Sequence, residues 1–199
     1  MKHNHLACFD VPIISGVYKG KRICVPDTPT TRSSKSILRE SLFDTLQFAI
    51  VDVPFIEVFA GSGSVGLEAL SRGASEAYFI EHNRDVFNLL QRNIKHLSAH
   101  NVHTIFGDSF IHLPDLVEQI DRPAYFYFDP PFSIREGMEM IYTQTLDLVA
   151  NLSIDAIKGI VIEHMSTIAF PDTINTLTRV RKRRFGKSTL TYYEPVRNS

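Results

Sequence analysis

The sequence of 199 residues contains no tryptophan, only two cysteines and almost no net charge. Cys8 and Cys24 have no metal-ligand spacing and do not indicate a disulfide framework, so we expect reduced thiols and a cytoplasmic location. The net charge of −1 argues against a protein that coats nucleic acid with its whole surface. The most apolar stretch, residues 48–60, is interrupted by charged residues and a proline, so we expect no membrane-spanning segment.

The charged residues are unevenly distributed along the chain. Six basic residues stand against two acidic ones within residues 15–40, and six stand against none within residues 173–193. Two basic ends around a neutral centre favour a localised site for a polyanion, although plain solvated faces explain them about equally well. The eight histidines show no ligand spacing with a supporting cysteine or carboxylate, so we expect no metal site.

Apolar strand patterns alternate with amphipathic helix patterns through residues 55–162. This alternation predicts an α/β fold with a parallel sheet covered by helices on both faces. Two short strands within residues 13–25 predict an N-terminal hairpin turned at Lys19-Gly20-Lys21, and residues 178–193 predict a closing hairpin. Because ligands bind at the carboxyl ends of the strands in such sheets, the residues that follow each predicted strand are the first candidates for a site.

A glycine-rich segment, Gly61-Ser62-Gly63-Ser64-Val65-Gly66, follows the first predicted strand of the sheet and opens a helix. It matches the GxGxxG pattern, and Glu81 stands 20 residues after Gly61, where a carboxylate can accept ribose hydroxyls. A dinucleotide would place its pyrophosphate against the backbone N–H groups of such a loop. S-adenosylmethionine has no phosphate, but glycines would let the backbone approach its methionine and ribose closely. The loop alone leaves both cofactors open.

Asp129-Pro130-Pro131-Phe132 directly follows the predicted strand at residues 124–128. The amino nitrogen of a purine is a poor nucleophile because its lone pair is delocalised, and acceptors aimed at its hydrogens favour rehybridisation. The Asp129 carboxylate and the Pro130 carbonyl provide two such acceptors, and Pro131 restricts the backbone that holds them. Phe132 offers a face on which the base can stack. These four residues therefore predict methyl transfer from S-adenosylmethionine to an exocyclic amino group.

With these motifs the sequence resembles the bacterial methyltransferases of guanine N2 in small-subunit (16S) ribosomal RNA. DPPF is the signature of methyltransferases that act on the amino groups of adenine and guanine. The likeness covers nearly all of residues 13–194 and includes ISGVYKGK at 14–21, RESLF at 39–43, FAGSG at 59–63, GLEALSRG at 66–73 and LTYY at 190–193. The N-terminal segment is its most specific part. The chain departs from the family at Arg32-Ser33-Ser34, usually Arg-Pro-Thr, and at Glu57, usually Asp.

The resemblance implies a Rossmann-like class I methyltransferase with a seven-stranded, mostly parallel sheet and an antiparallel last strand. It divides the chain into an extension, residues 1–32, whose small β-hairpin helps hold RNA, and an S-adenosylmethionine-dependent domain, residues 33–199. The partner is ribosomal RNA or a ribosomal particle, and we expect a monomer. The expected cofactor contacts are Glu57, Phe59, Gly61, Ser62, Gly63, Glu81, His82, Asp108 and Ser109. The expected RNA contacts are Lys19, Lys21, Arg22, Arg32, Lys35 and Arg183.

Three other functions fit parts of the sequence. An adenine-N6 methyltransferase of DNA or RNA would use the same loop and the same DPPF segment. A nicotinamide-dependent oxidoreductase would need a substrate domain and hydride-transfer residues, for which we see no place after the sheet. A non-catalytic RNA-binding protein would not need both an intact cofactor loop and an intact DPPF.

Overall fold

The computed structural model describes residues 7–27, 32–131 and 140–196, with the backbone alone for residues 32–34. It consists of short strands and helices that alternate along most of the chain. In chain order these are β1 (Cys8–Pro12), β2 (Arg22–Pro26), α1 (Arg32–Leu46), β3 (Phe55–Glu57), α2 (Ser64–Ser71), β4 (Ala77–Glu81), α3 (Arg84–Leu97), β5 (Val102–Phe106), α4 (Ser109–Gln119), β6 (Ala124–Phe128), α5 (Met140–Ala150), β7 (Ile157–Met165), β8 (Thr173–Ile174), β9 (Leu177–Phe185) and β10 (Ser188–Pro195).

The main sheet has eight strands in the order β5-β4-β3-β6-β7-β10-β9-β8, and β1 and β2 form a separate two-stranded sheet. Strands β3 to β7 pair in parallel, whereas β10 runs antiparallel between β7 and β9. The predicted Rossmann-like fold and its antiparallel last strand are confirmed. The eighth strand, β8, was not predicted, because two residues that pair with β9 across Asn175, at φ 49°, are too short for a recognisable strand pattern.

Helices cover both faces of the central strands, which explains why these strands are apolar throughout. All five residues of β6 are buried. Phe126 and Phe128 pack on one face with residues of α4 and α5, whereas Tyr125 and Tyr127 pack on the other with residues of α1. Among the described residues no helix is both long and apolar enough to cross a bilayer.

Helix α3 shows how local sequence sets the ends of an element. The Asn83 side chain accepts hydrogen bonds from the backbone N–H groups of Asp85 and Val86, which starts the helix. Ser98 adopts a left-handed conformation with φ 53°, which ends it. The apolar spacing of the sequence predicts a helix over the same residues, 84–97, and this prediction is confirmed with its bounds because both ends carry a signal in the sequence.

The N-terminal hairpin is present. Strand β2 overlaps the second strand that we predicted, but β1 lies before the predicted range. Residues 13–21 form the connecting loop, in which Gly16 and Gly20 have φ values of +83° and +81°. Gly16 passes so close to α2 that a Cβ atom would lie 1.6 Å from the carbonyl oxygen of Ser71.

The expectation of reduced thiols is also wrong. The ladder pairs Cys8 with Pro26 and Asp10 with Cys24, so the cysteines are diagonal neighbours and form a disulfide, with Cα atoms 5.7 Å apart.

Two buried polar side chains attach the hairpin to the sheet domain. Glu68 of α2 accepts the backbone N–H groups of Ile14 and Ser15 at 2.8 and 3.0 Å. Asn93 of α3 accepts the N–H of Cys24 at 2.9 Å and donates to the carbonyl oxygens of Cys24 and Ser62. The spacing of Glu68 and Arg72, four residues apart, predicts an ion pair on a helix face. The pair is present at 2.7 Å, but Glu68 is fully buried and does not lie on a solvated face.

Candidate active site

A cavity of about 600 Å³ opens at the carboxyl ends of the parallel strands, where the topology predicts a site. Its wall includes Phe9, Val11, Val25 and Pro26 of the hairpin, so the N-terminal extension closes one side. The predicted site residues that line it are Glu57, Phe59, Gly61, Ser62, Glu81, His82, Ser109, Asp129, Pro131 and Lys35. Gly63, Asp108 and Pro130 adjoin these residues in the chain without lining the cavity, and Phe132 lies outside the described residues.

The three glycines of the loop have different roles. A Cβ atom on Gly63 would lie 2.4 Å from Leu90, and one on Gly66 would lie 2.5 Å from Phe79. These two glycines therefore allow α2 to pack closely against the protein itself. Gly61, with φ +53°, lines the cavity and has no protein atom within 4 Å of the position of a Cβ. The sequence predicts that the glycines together let a ligand approach the backbone closely. In the structure Gly61 has the open space for such an approach.

Glu81 is the last residue of β4 and has a fixed carboxylate. One oxygen accepts the backbone N–H of Gly61 at 2.8 Å, and the other accepts the N–H of Asn83 at 2.7 Å. A carboxylate has about four acceptor positions, so each oxygen retains the capacity to accept a further hydrogen bond. The exposed ring of His82 lies beside it, with Nδ1 3.6 Å from Oε1 of Glu81. This geometry suits an acceptor for two vicinal hydroxyl groups.

Glu57, at the end of β3, supports the helix that follows the loop. Its carboxylate accepts the backbone N–H groups of Gly66 at 2.8 Å and of Val65 at 3.3 Å, at the N-terminus of α2. Burial raises the pKa of Glu57 to about 8, against the effect of these two hydrogen bonds. The side chain is 3% exposed, so its principal contacts are with the protein.

The other candidates for cofactor contact surround the start of α4. Asp108 caps this helix by accepting the N–H of Phe110 at 2.8 Å, and the Ser109 hydroxyl donates to the carbonyl oxygen of Val58. The Phe59 ring stands edge-on to Phe110 at a centroid distance of 5.6 Å. These contacts hold an aromatic wall beside the end of β3.

Asp129 belongs to a cluster of charged and polar side chains in which Glu163 and Tyr127 are buried and Lys35 and Asp129 are half-buried. Lys35 Nζ lies 2.8 Å from Asp129 Oδ2 and 2.8 Å from Glu163 Oε1, and the Tyr127 hydroxyl donates to Glu163 Oε2 at 2.7 Å. Asp129 Oδ1 is buried and has no hydrogen-bond partner among the described residues. Burial and the negative charge of Glu163 raise the pKa of Asp129, although Lys35 opposes the rise. The cluster thus leaves one carboxylate oxygen available as an acceptor.

Two members of this cluster, Glu163 and Tyr127, were not predicted as site residues. Lys35 was predicted to contact RNA, whereas the structure places its ammonium group inside the cavity wall. A signal for Glu163 was present in the sequence, because a carboxylate inside the apolar segment Ile157–Met165 requires a buried partner. The identity of that partner could not be read from the sequence, since Lys35 lies 128 residues earlier.

The predicted RNA contacts lie in two regions. Lys19, Lys21 and Arg22 are exposed on the hairpin, where Arg22 also donates to the carbonyl oxygen of Asp10 at 2.8 Å. Arg183 is exposed on β9 and donates to the Ser41 hydroxyl at 3.2 Å. The side chain of Arg32 lies outside the described residues. No group of three or more potential metal ligands is found in the part of the chain that the structure describes.

Known proteins resemble the chain both in sequence and in structure. The model of the family described as Conserved hypothetical protein 95 matches residues 11–194. Ribosomal RNA small subunit methyltransferase D of Escherichia coli strain K12 is 39% identical over 138 residues, which cover 69% of this chain and 67% of that protein. YlbH of Bacillus subtilis, named provisionally as an rRNA methyltransferase, is 26% identical over 92% of this chain and 97% of its own length.

A solved structure supports the same relationship. The Escherichia coli protein yhhF, named provisionally as a methyltransferase, superposes with a TM-score of 0.74 at 30% sequence identity, over 94% of this chain and 98% of its own. The family resemblance predicted from the sequence is thereby confirmed. The chain belongs to the family described as Conserved hypothetical protein 95.

Proposed function

We propose that the chain transfers a methyl group from S-adenosylmethionine to the exocyclic N2 of a guanine in small-subunit (16S) ribosomal RNA. The observation that carries this proposal is Asp129 at the cavity wall, whose Oδ1 has no hydrogen-bond partner among the described residues. The name of the Escherichia coli relative supports the RNA substrate. Guanine N2 rests on the resemblance in sequence. A ribosomal substrate implies action in the cytoplasm. We propose that the protein is active as a monomer.

The residues that line the cavity fit S-adenosylmethionine. Glu81 offers two oriented oxygens for ribose hydroxyls, and the open position beside Gly61 admits a close approach to the backbone. Phe59 supplies an apolar surface. When bound, the cofactor provides an electrophilic methyl group on a positively charged sulfur, and the net negative charge of Asp129, Glu163 and Lys35 together complements that sulfur.

The chain contributes to the transfer by positioning. Asp129 Oδ1 accepts one hydrogen of the target amino group, and the carbonyl of Pro130 accepts the other, so that the nitrogen lone pair points toward the methyl group. The new N–C bond leaves one proton too many on the nitrogen. Asp129 Oδ1 accepts this proton, which its raised pKa favours.

The target base must leave its stack to reach this position, because a paired exocyclic nitrogen is inaccessible in a helix. We propose that Phe132 stacks on the extruded base. The exposed cations Lys19, Lys21, Arg22 and Arg183, together with Arg32, would bind the RNA phosphates. In this arrangement residues 1–32 form the RNA-holding extension and residues 33–199 the methyltransferase domain.

Mass spectrometry of nucleosides tests the proposal directly. Small-subunit particles, and separately their naked RNA, are prepared from cells that lack the enzyme and incubated with the protein and S-adenosylmethionine. We expect N2-methylguanosine. N6-methyladenosine would instead establish the adenine alternative, and the absence of any methylated nucleoside on either substrate would overturn the proposal.

Thermal unfolding tests the cofactor independently of the RNA. S-adenosylmethionine or its demethylated product should raise the melting temperature, because a ligand that binds only the folded state stabilises it by mass action. NAD serves as the control and should cause no shift. A shift with NAD and none with S-adenosylmethionine would contradict the assignment of the cavity.

A further inference from the structure

Lys35 of α1 stands between two carboxylates that come from different strands. Its ammonium group lies 2.8 Å from Oδ2 of Asp129, directly after β6, and 2.8 Å from Oε1 of the fully buried Glu163 on β7. The second oxygen of Glu163 accepts the Tyr127 hydroxyl at 2.7 Å. The carboxylate of Glu163 is therefore held on both sides, whereas the carboxylate of Asp129 is held through Oδ2 and keeps Oδ1 unpaired among the described residues.

We propose that Lys35 is a positioning residue for methyl transfer, which holds Asp129 through Oδ2 so that Oδ1 faces the target amino group. This inference rests on the proposed function. A charge-assisted hydrogen bond is short and directional, so rotation of the Asp129 carboxylate would require its loss. Glu163 and Tyr127 act on Asp129 indirectly. Glu163 binds the ammonium group of Lys35, and the Tyr127 hydroxyl holds Glu163 in place.

The charge of Lys35 has a second effect on Asp129. Without a cation between them, two buried carboxylates repel each other, and one of them takes up a proton. A protonated Asp129 would lose acceptor capacity at the oxygen that carries the hydrogen. Burial alone would lower the pKa of Lys35, but the two carboxylates raise it above its ordinary value, so the ammonium form persists at neutral pH.

Among the described residues, titratable groups of five elements interact electrostatically with Asp129. These are Lys35 of α1, Glu57 of β3, Tyr127 of β6, Tyr142 of α5 and Glu163 of β7. Glu163 raises the pKa of Asp129, whereas Lys35 lowers it. Removing Lys35 alone should raise the pKa of Asp129. Because Glu163 and Lys35 act in opposite directions, removing both charges should bring the pKa of Asp129 back toward its wild-type value.

The experiment compares the wild type with Lys35→Met, Lys35→Gln and the double variant Lys35→Met/Glu163→Gln. Lys95→Met, at an exposed position of α3, is the matched control. Single-turnover methylation of small-subunit particles is measured across the acid and neutral pH range. In parallel, carbon NMR of carboxyl-labelled aspartate follows the titration of Asp129, with Asp129→Asn to assign its resonance. The NMR titration requires neither cofactor nor RNA.

In Lys35→Met and Lys35→Gln, the acid limb of the rate profile and the Asp129 titration should both move by about one to three pH units toward higher pH. The rate at neutral pH should fall about tenfold or more, while affinity for the cofactor stays near the wild-type value. The double variant should move both curves back toward the wild type. Lys95→Met should leave both unchanged.

A wild-type rate profile together with a wild-type Asp129 titration in both single variants would overturn the role of Lys35. Thermal unfolding identifies a variant that does not fold. If Lys35→Met does not fold, the role of Lys35 is tested with Lys35→Gln, which keeps two N–H donors. If the wild type itself methylates no RNA, the proposed function fails. The NMR titration would then still show whether Lys35 controls the charge of Asp129.

Discussion

At the scale of single residues, Asp129 is half-buried, and its Oδ1 is a buried oxygen that has no partner among the described residues. Such an oxygen can accept a hydrogen bond without giving up one that it already makes. Asp129→Ala should therefore reduce turnover about 10²-fold or more, the usual consequence of losing one positioned electrostatic group. Asp129→Asn should lose less, because the amide oxygen still accepts a hydrogen bond.

Single-turnover methylation and calorimetry with the demethylated cofactor check this prediction together. Cofactor affinity should stay near normal in both variants, because Gly61 and Glu81 are untouched. A wild-type methylation rate in Asp129→Ala would leave Asp129 as a structural residue of the loop and contradict the amino-group mechanism.

The residues that could be located from the sequence are those whose place follows from the order of strands. Gly61, Glu81 and Asp129 each lie at or just after the carboxyl end of a strand, and all three lie at the cavity as predicted, although their roles remain proposals. Lys35 could not be located in this way. Its contact with Asp129 spans 94 residues and depends on the packing of α1, which no local pattern encodes.

At the scale of elements, the attachment of the hairpin depends on Asn93. This side chain, 3% exposed, makes hydrogen bonds to β2 and to Ser62 of the cofactor loop. Asn93→Ala leaves three backbone groups without these bonds, so we expect a loss of about 1–3 kcal/mol in the free energy of unfolding. Cofactor affinity should also fall, because one wall of the cavity loosens.

Urea unfolding and calorimetry measure the two effects of Asn93→Ala. Asn151→Ala is the control, since Asn151 is exposed and its side chain donates a hydrogen bond to the carbonyl oxygen of Asp147 at the end of α5, away from the hairpin. Unchanged stability and unchanged affinity in Asn93→Ala would mean that other contacts attach the hairpin.

The basic elements, the hairpin and β9, should make RNA binding dependent on salt. Lysine and arginine side chains on phosphates release counterions, so affinity should fall steeply as the salt concentration rises. Arg22→Glu and Arg183→Glu should each weaken RNA binding and reduce the slope with salt, without a change in cofactor affinity. Filter binding at several salt concentrations checks this, with Lys158→Glu, at the amino end of β7, as the control. If RNA affinity does not depend on salt, the basic residues of the hairpin and β9 are solvent-exposed side chains that do not contact RNA.

Elements with a strong periodic pattern and capping residues could be predicted well, and elements without them could not. Helix α3 has both, and its bounds match the prediction. Strand β1 is only five residues long and contains Asp10 and Pro12, residues that are uncommon in strands, so the first strand of the hairpin was placed several residues too late. The same misplacement left Cys8 outside the predicted strands and concealed the disulfide.

At the scale of the whole molecule, stability depends on a histidine that folding keeps neutral. His164 is fully buried, stacks on Phe170 at 4.0 Å, and hydrogen-bonds to Met165 O and Thr191 Oγ1. Burial lowers its pKa from 6.5 to about 4. Between these pH values the unfolded chain binds more protons than the folded one, so the free energy of unfolding should fall as the pH is lowered from 6.5 to 4.

Urea unfolding at several pH values, for the wild type and for His164→Gln, checks this dependence. Glu57 acts in the opposite direction: its raised pKa makes stability fall as the pH rises from 4.5 to about 8. The difference between wild type and variant therefore isolates the histidine. This difference should be larger at neutral pH than at acid pH, and a constant difference would show that His164 does not control the acid limb.

The attachment of the hairpin also sets an order of events during protein synthesis. Cys24 emerges 69 residues before Asn93, the residue that holds it, which at ordinary rates of translation is a delay of roughly 3 to 14 s. During that time Phe9, Val11 and Val25 lack the complete helix α3 to face, and for the first half of it they lack the glycine loop as well. The cavity is thus built from its outer wall inward. Its apolar lining stays exposed to water in the nascent chain until the helix that anchors the wall has been made.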